Sequence, residues 1–294
     1  MKFRKLGRTG LKVSEIGLGT EYLFRQPKKT VISVLDEAIK NGINYFDIVF
    51  NVSNYIDNIS IALKDCRDDI ILTCHLGTLD EDGRVRRSRN IKECEQSFLN
   101  TISKFGKDYI DIVNLQFVKE KEYESIIAQG GLLDLAKKLQ EEGKARFIGI
   151  STHNASIGQK AVKSCYFDMV MNQVNFVNNG MTEREELLKN CREQNIGFIA
   201  IKPFAGGKLL QRNRTVAVAK YQSGGISLKK KMPKDITPIK CLSYVLSQPG
   251  VSTTLPGVKD VEELKEVLAY INASNEEKDY SAIIKEFEVI NIQK

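Results

Sequence analysis

Short runs of Ile, Val, Leu and Phe alternate with longer amphipathic stretches along the whole chain, and this alternation limits the possible folds more than any other feature. The runs Val13–Gly17, Tyr45–Asp47, Ile70–Cys74, Ile110–Leu115, Ala145–Ile150, Met169–Gln173, Gly197–Ile201 and Val251–Thr254 read as strands. Most are continuous rather than alternating, as suits strands covered on both faces. Helices are expected between them at Thr30–Asn41, Asn58–Lys64, Ile91–Lys104, Leu132–Glu142, Ile157–Ser164, Glu183–Gln194, Pro238–Gln248 and Val261–Ile271. Eight strand–helix units with short connections require right-handed parallel crossovers, so the sheet either closes into a barrel or stays open and doubly wound. Closure is favoured because no early strand is followed by GxGxxG and the repeat runs on without a break in composition. The expected fold is α/β, a (β/α)8 TIM barrel. Such a barrel takes about 250 residues, so residues 1–294 form one domain, with a core of 4–271 and a tail of 272–294.

Two segments fall outside the repeat. Lys2–Leu6 followed by Arg8-Thr9-Gly10 suggests an N-terminal β-hairpin across the barrel floor. Phe204–Ile236 is a long loop after strand seven, with Gly206-Gly207 and Gly224-Gly225. Long connections inside barrels are commonly functional, and this one leaves the C-terminal rim, so a lid over a bound ligand is expected.

Composition narrows the function classes. The net charge of +7 comes from 44 basic and 37 acidic residues that are well interspersed, apart from Lys229-Lys230-Lys231 with Lys234 nearby. That patch reads as a solvated loop, and no nucleic-acid module accompanies it. No apolar run reaches the roughly 20 residues of a membrane span, and the basic start, Met1-Lys2-Phe3-Arg4-Lys5, has no apolar stretch after it. The expected location is the cytoplasm. Cys66, Cys74, Cys94, Cys165, Cys191 and Cys241 form no CxxC pair, and there are only two histidines. Reduced thiols and no metal site are expected.

In a barrel the chemistry belongs at the C-terminal strand ends. Those positions carry Asp47, Cys74-His75, Gln116, Ser151 with His153, Gln173 with Asn175, Lys202 and Leu255-Pro256-Gly257. A carboxylate and an imidazole there could form an acid/base pair. The opening Arg4-Lys5-Leu6-Gly7-Arg8-Thr9-Gly10-Leu11-Lys12-Val13-Ser14, with Gly17-Leu18-Gly19-Thr20, is similar to that of aldo-keto reductases. So are Gly42–Asp47, Asp108–Asp111, Gly143–Ser151, Lys202–Leu209 and Pro256-Gly257-Val258, all in the right order.

The resemblance implies carbonyl reduction with NADPH by Asp, Tyr, Lys and His at the barrel mouth. Only the aspartate is matched, as Asp47. The tyrosine position carries Val52, the lysine position His75 and the histidine position Gln116. Tyr55 stands three residues beyond Val52. His75, oriented by Asp47, could replace the missing acid, and Lys202 could supply a cation.

The resemblance also assigns Ser151, Thr152 and Gln173 to the nicotinamide amide, with Asn175 nearby. It assigns Phe204, Ala205 and Gly206 to the pyrophosphate, and Pro256, Gly257 and Lys259 to the ribose 2′-phosphate. Ile201 replaces the aromatic that stacks on nicotinamide, and Glu266-Val267 replaces the usual Glu-Asn at the adenine. The wording is closest to a subgroup with a ferredoxin-like tail, of which Asn272–Tyr280 resembles the lead-in. Without CxxCxxC in the 294 residues, no iron–sulfur cluster is expected. Three readings follow: an NADP(H)-dependent oxidoreductase acting on a small carbonyl compound, a catalytically silent nucleotide-binding sensor or scaffold, and redox-neutral lyase or isomerase chemistry by Asp47 and His75.

Overall fold

A computed structural model describes residues 1–219 and 227–292, with side chains described up to 216 and from 230 to 287. Its central sheet has eight parallel strands: Leu18–Gly19, Tyr45–Ile48, Ile71–Leu76, Ile110–Leu115, Ala145–Ser151, Met169–Gln173, Gly197–Ile201 and Val251–Leu255. The first and last strands meet through parallel bridges, Ile16 to Thr254 and Gly19 to Gly257, which close the barrel. Helices on the outside cover the strands, as their apolar stripes require. In Leu132–Glu141, for example, Leu132, Leu133, Leu135, Ala136 and Leu139 are buried.

The expected floor hairpin is present, Phe3–Lys5 pairing antiparallel with Lys12–Ser14. One strand assignment is corrected by it. Val13 and Ser14 belong to the hairpin, and the first barrel strand is Leu18–Gly19 rather than Val13–Gly17. The reason is packing: Leu6 and Val13 enter the barrel from below and join Tyr45, Ile71, Ile112, Met169, Met171, Ile199 and Leu255 in its interior. Gly197 leaves the space for Leu6, since a Cβ there would lie 2.6 Å from Leu6 Cδ1.

Two hairpins and a helix inside the barrel region escaped the sequence, as did the helices Asn275–Lys278 and Ser281–Ile292 of the tail. The hairpin Thr78–Glu81 with Arg84–Arg87 follows strand three and turns on Asp82-Gly83, both at positive φ, the conformation that favours Asp-Gly at a tight turn. Glu120–Ile127 is a helix with only Tyr123 and Ile126 buried, so its apolar stripe is faint. The loop after strand seven holds a second hairpin, Thr215–Ala219 with Ser227–Lys231. There Lys230 Nζ donates to Glu286 O at 2.6 Å and lies 4.9 Å from the centre of the Phe287 ring. The hairpin is thereby tied to the C-terminal helix Ser281–Ile292. Gly224-Gly225 and the Lys229 side chain lie outside the described residues. Among the described residues, no helix is long and apolar enough to cross a membrane and no cluster suits a metal ion. All six cysteines are free, four of them buried.

Candidate active site

Side chains alternate along a strand, so every second residue of a barrel strand points inward. Tyr45 and Ile71 lie in the barrel interior, and one step further up the same faces come Asp47 and Thr73, then His75. From strand four, Ile112, Asn114 and Gln116 climb in the same way. The top layer opens on a cavity of about 880 Å³ lined by Asp47, His75, Gln116, Ser151, Met171, Ile201 and Lys202, among others.

His75 Nε2 lies 2.7 Å from Asp47 Oδ1, with both side chains less than a tenth exposed. On the other side of the ring, the Asn114 amide nitrogen donates to His75 Nδ1 at 3.0 Å. Nδ1 is thus an acceptor, and the imidazole proton sits on Nε2, directed at Asp47. Asn114 Oδ1 is buried without a hydrogen-bond partner. The expected Asp47–His75 pair is therefore present, and Asn114 makes it a chain of three. Asn114 was missed in the sequence, although a lone amide within the apolar strand Ile110–Leu115 was a visible signal.

The place assigned to a phenol is part of the protein core. Val52 is 1% exposed and does not line the cavity; Val49 and Phe50 do. Tyr55 does not substitute. Its hydroxyl pairs with Thr20 Oγ1 and accepts from Val49 N, its ring packs against Phe24 and Phe50, and it stands off the cavity wall. Burial pushes the Tyr55 phenol far above the ordinary tyrosine range. Gln116 takes the wall position opposite, its amide nitrogen donating to Val49 O at 2.7 Å.

The residues assigned to a dinucleotide divide into two sets. Ser151, Phe204, Gly206, Gly207, Gly257 and Lys259 line the cavity, whereas Thr152, Gln173, Asn175, Ala205 and Pro256 stand behind its wall. The Thr152 hydroxyl is turned to Val118 O at 2.8 Å, and the Asn175 amide nitrogen donates to Lys202 O at 3.1 Å. Ser151 Oγ accepts from Phe117 N at 2.8 Å. Gly206 and Gly207 have φ of +67° and +81°, a backbone that needs glycine and leaves a bare, close-approach surface. Tyr22, missed in the sequence, spans this region: a Cβ on Gly257 would fall 2.3 Å from its ring, and its hydroxyl faces Gly206. Burial, then Glu21 and Glu263, raise the Tyr22 phenol above its usual range. Lys259 Nζ is 2.7 Å from Glu263 Oε1.

On the opposite wall, His153 was among the strand-end residues, whereas Arg87 and Phe117 were missed. The Arg87 guanidinium lies 4.8 Å from the centre of the Phe117 ring, which packs edge-on with His153 at 4.3 Å. Burial, and then the charge of Lys202, lower His153 to about 3, so it is neutral at ordinary pH. An unfolded histidine titrates near 6.5, so between about 6.5 and 3 the unfolded chain binds a proton that the folded chain refuses. Stability contributed at this site is complete above that window and falls with pH inside it. His153→Gln should lose less melting temperature than the native chain on acidification from pH 7 to 4.5, as calorimetry will register.

Comparisons with known proteins identify the family. A family model described as the aldo/keto reductase family matches residues 15–287. An uncharacterized oxidoreductase of Bacillus subtilis, YqkF, is 28% identical, covering 93% of this chain and 92% of that protein. The L-galactose dehydrogenase of Arabidopsis thaliana is 24% identical, covering 92% and 88%. Among solved structures, the holo form of aldo-keto reductase AKR11C1 from Bacillus halodurans superposes with a TM-score of 0.75, at 21% identity, over 98% of this chain and 96% of that one. Matched along nearly its whole length and closed into the same kind of barrel, the chain belongs to the aldo/keto reductase family.

Proposed function

We propose that the chain is an NADP(H)-dependent oxidoreductase of small carbonyl compounds whose proton is handled by Asp47 and His75. The observation that carries this reading is the buried 2.7 Å pair opening on a cavity that also holds a glycine cradle. Gly206 and Gly207 suit the close approach of a pyrophosphate, and Lys259 follows the turn at Gly257, whose own face Tyr22 fills. When bound, the dinucleotide supplies the reducing equivalent. The chain's own task is to bind the carbonyl and deliver a proton to its oxygen.

His75 has both ring nitrogens engaged within the protein, so the proton leaves from the carboxyl of Asp47, which lines the cavity. A doubly protonated His75 then restores it from Nε2, leaving the ring neutral. A second proton on the ring becomes possible when the Asn114 amide turns over, because its unpartnered oxygen then faces Nδ1 and accepts. A well-placed acid of this kind is worth roughly 10²–10⁴ in rate.

The test is a titration with NADPH followed by fluorescence, then turnover against aldehydes, quinones and 2-oxo compounds. No binding at millimolar NADPH overturns the reading. Binding without turnover favours the silent nucleotide-binding barrel, for which the fully engaged His75 speaks. Glu263 competes with a 2′-phosphate for Lys259. Glu263→Gln should therefore tighten NADPH about two- to fivefold, the size of an exposed ion pair, and leave NADH nearly unchanged.

A further inference from the structure

The charges around the cavity are sorted by sign. On the rim near Tyr22, the lining residues Glu21, Glu263 and Glu266 face one cation, Lys259, which Glu263 already holds. The wall beyond the Asp47–His75 pair carries Arg87 and Lys202. Neither forms an ion pair with a described residue, whereas the neighbouring Arg86 and Arg89 do. Arg89 is held by Glu122 through two contacts of 3.0 and 3.2 Å. Glu122 senses Arg87 only at a distance, and its oxygens are spent on Arg89 and on Lys119 N.

Both cations are held in place. Arg87 ends the hairpin strand Arg84–Arg87 with its guanidinium over the Phe117 ring, a contact that uses the cation's charge and leaves its N–H groups for an anion. Lys202 has a left-handed backbone, φ +55°, and its carbonyl is fixed by the amide of Asn175 and by Ala205 N. Between them, His153 packs on Phe117 and remains neutral beside Lys202, so it offers a hydrogen bond without adding charge. Arg87 and Lys202 line one partly apolar cavity, and neither has a carboxylate within ion-pair distance among the described residues. A bound anion would give both a partner, in the field that two like charges focus on one wall.

From this arrangement we propose that Arg87, Lys202, Phe117 and His153 form a subsite for an anionic group on the substrate, so that the carbonyl compound taken by this chain carries a carboxylate or a group of like charge. The subsite rests on the oxidoreductase reading for the carbonyl, and on the geometry alone for the anion. Arg87 supplies a planar fork to one side of the anion, Lys202 a point charge to the other, and Phe117 a face for the apolar body that joins anion to carbonyl. His153 stays neutral throughout the range from pH 5.5 to 8, so the subsite's attraction stays constant there.

The experiment compares 4-carboxybenzaldehyde with methyl 4-formylbenzoate, two aldehydes of one shape that differ in charge. Their affinities for the native chain are read by ligand-detected NMR, with and without saturating NADPH. The carboxylate should bind at least tenfold tighter than the ester, and the gap should narrow as salt is raised. Arg87→Gln, a change on an exposed hairpin, should reduce the gap to about threefold or less, while NADPH affinity in the same sample stays at the native value. Equal affinities in the native chain, no binding of either aldehyde, or a gap that survives both Arg87→Gln and Lys202→Gln overturns the subsite. Failure of the oxidoreductase reading appears separately, as absent NADPH binding. A carboxylate preference that persists in that case upholds the subsite and removes only the cofactor.

Discussion

Replacing His75 by alanine lowers turnover about 10²- to 10⁴-fold, the range expected for loss of a placed acid, and leaves NADPH affinity unchanged. The split follows from the site's layout. His75 touches Asp47 and Asn114 on the inner wall, whereas the glycines proposed to cradle a dinucleotide, Gly206 and Gly207, lie on the loop after strand seven. Asp47→Asn should be as damaging, because an amide cannot cycle a proton between His75 and the cavity. Asn114→Ala should do less, lowering kcat more than KM, since it removes only the group that fixes the ring. Steady-state kinetics and fluorescence titration on the same preparations decide the matter. Native turnover in the His75→Ala enzyme would remove the imidazole from the mechanism.

The second large effect is on folding. Asp111 is 2% exposed and holds three donors: Arg67 Nη2 at 3.1 Å, Arg146 Nη1 at 2.9 Å and the backbone N–H of Leu72 at 3.0 Å. Arg67 is itself 4% exposed and also caps the carbonyls of Ile70 and Tyr109. Asp111→Ala leaves a buried guanidinium without its counter-ion and should cost about 3–5 kcal/mol. Urea denaturation measures it, and a loss below about 1 kcal/mol would show that the network is dispensable. The double variant Arg67→Met with Asp111→Leu should recover most of the loss, because two packed apolar side chains replace two desolvated charges.

Fold class was legible because eight apolar strand runs cannot be buried except against covering helices, and the spacing left room for little else. The boundary that went wrong, at Val13–Gly17, did so because an apolar run does not reveal whether it climbs the barrel or crosses beneath it. Only Leu6 and Val13 filling the same space from below decides that. Asp47, His75, Gln116 and Lys202 could be found at strand ends, where period-two alternation delivers them to the cavity. Arg87, Phe117 and Tyr22 could not, because they reach it from a hairpin and from loops whose course the strand pattern does not determine. Asp82-Gly83 did mark the hairpin turn, and reading it would have brought Arg87 into view. Val52 carries a different lesson. Counting from Asp47 finds the residue that the resemblance aligns with the family tyrosine, but not that Val49 and Phe50, rather than Val52, line the cavity.

The seam at the barrel floor bears on how the chain reaches this state. Arg4 donates to the carbonyls of Leu246 and Val251, both at 3.0 Å, across 242 and 247 positions of sequence. Bringing such distant segments together is the entropically most demanding step of assembly. On a ribosome these partners emerge long after Arg4, so the early strands must wait with an open edge until residue 251 is free. During that interval the half-built sheet is the stage most exposed to mispairing, and helper proteins that shield strand edges would have their greatest effect there.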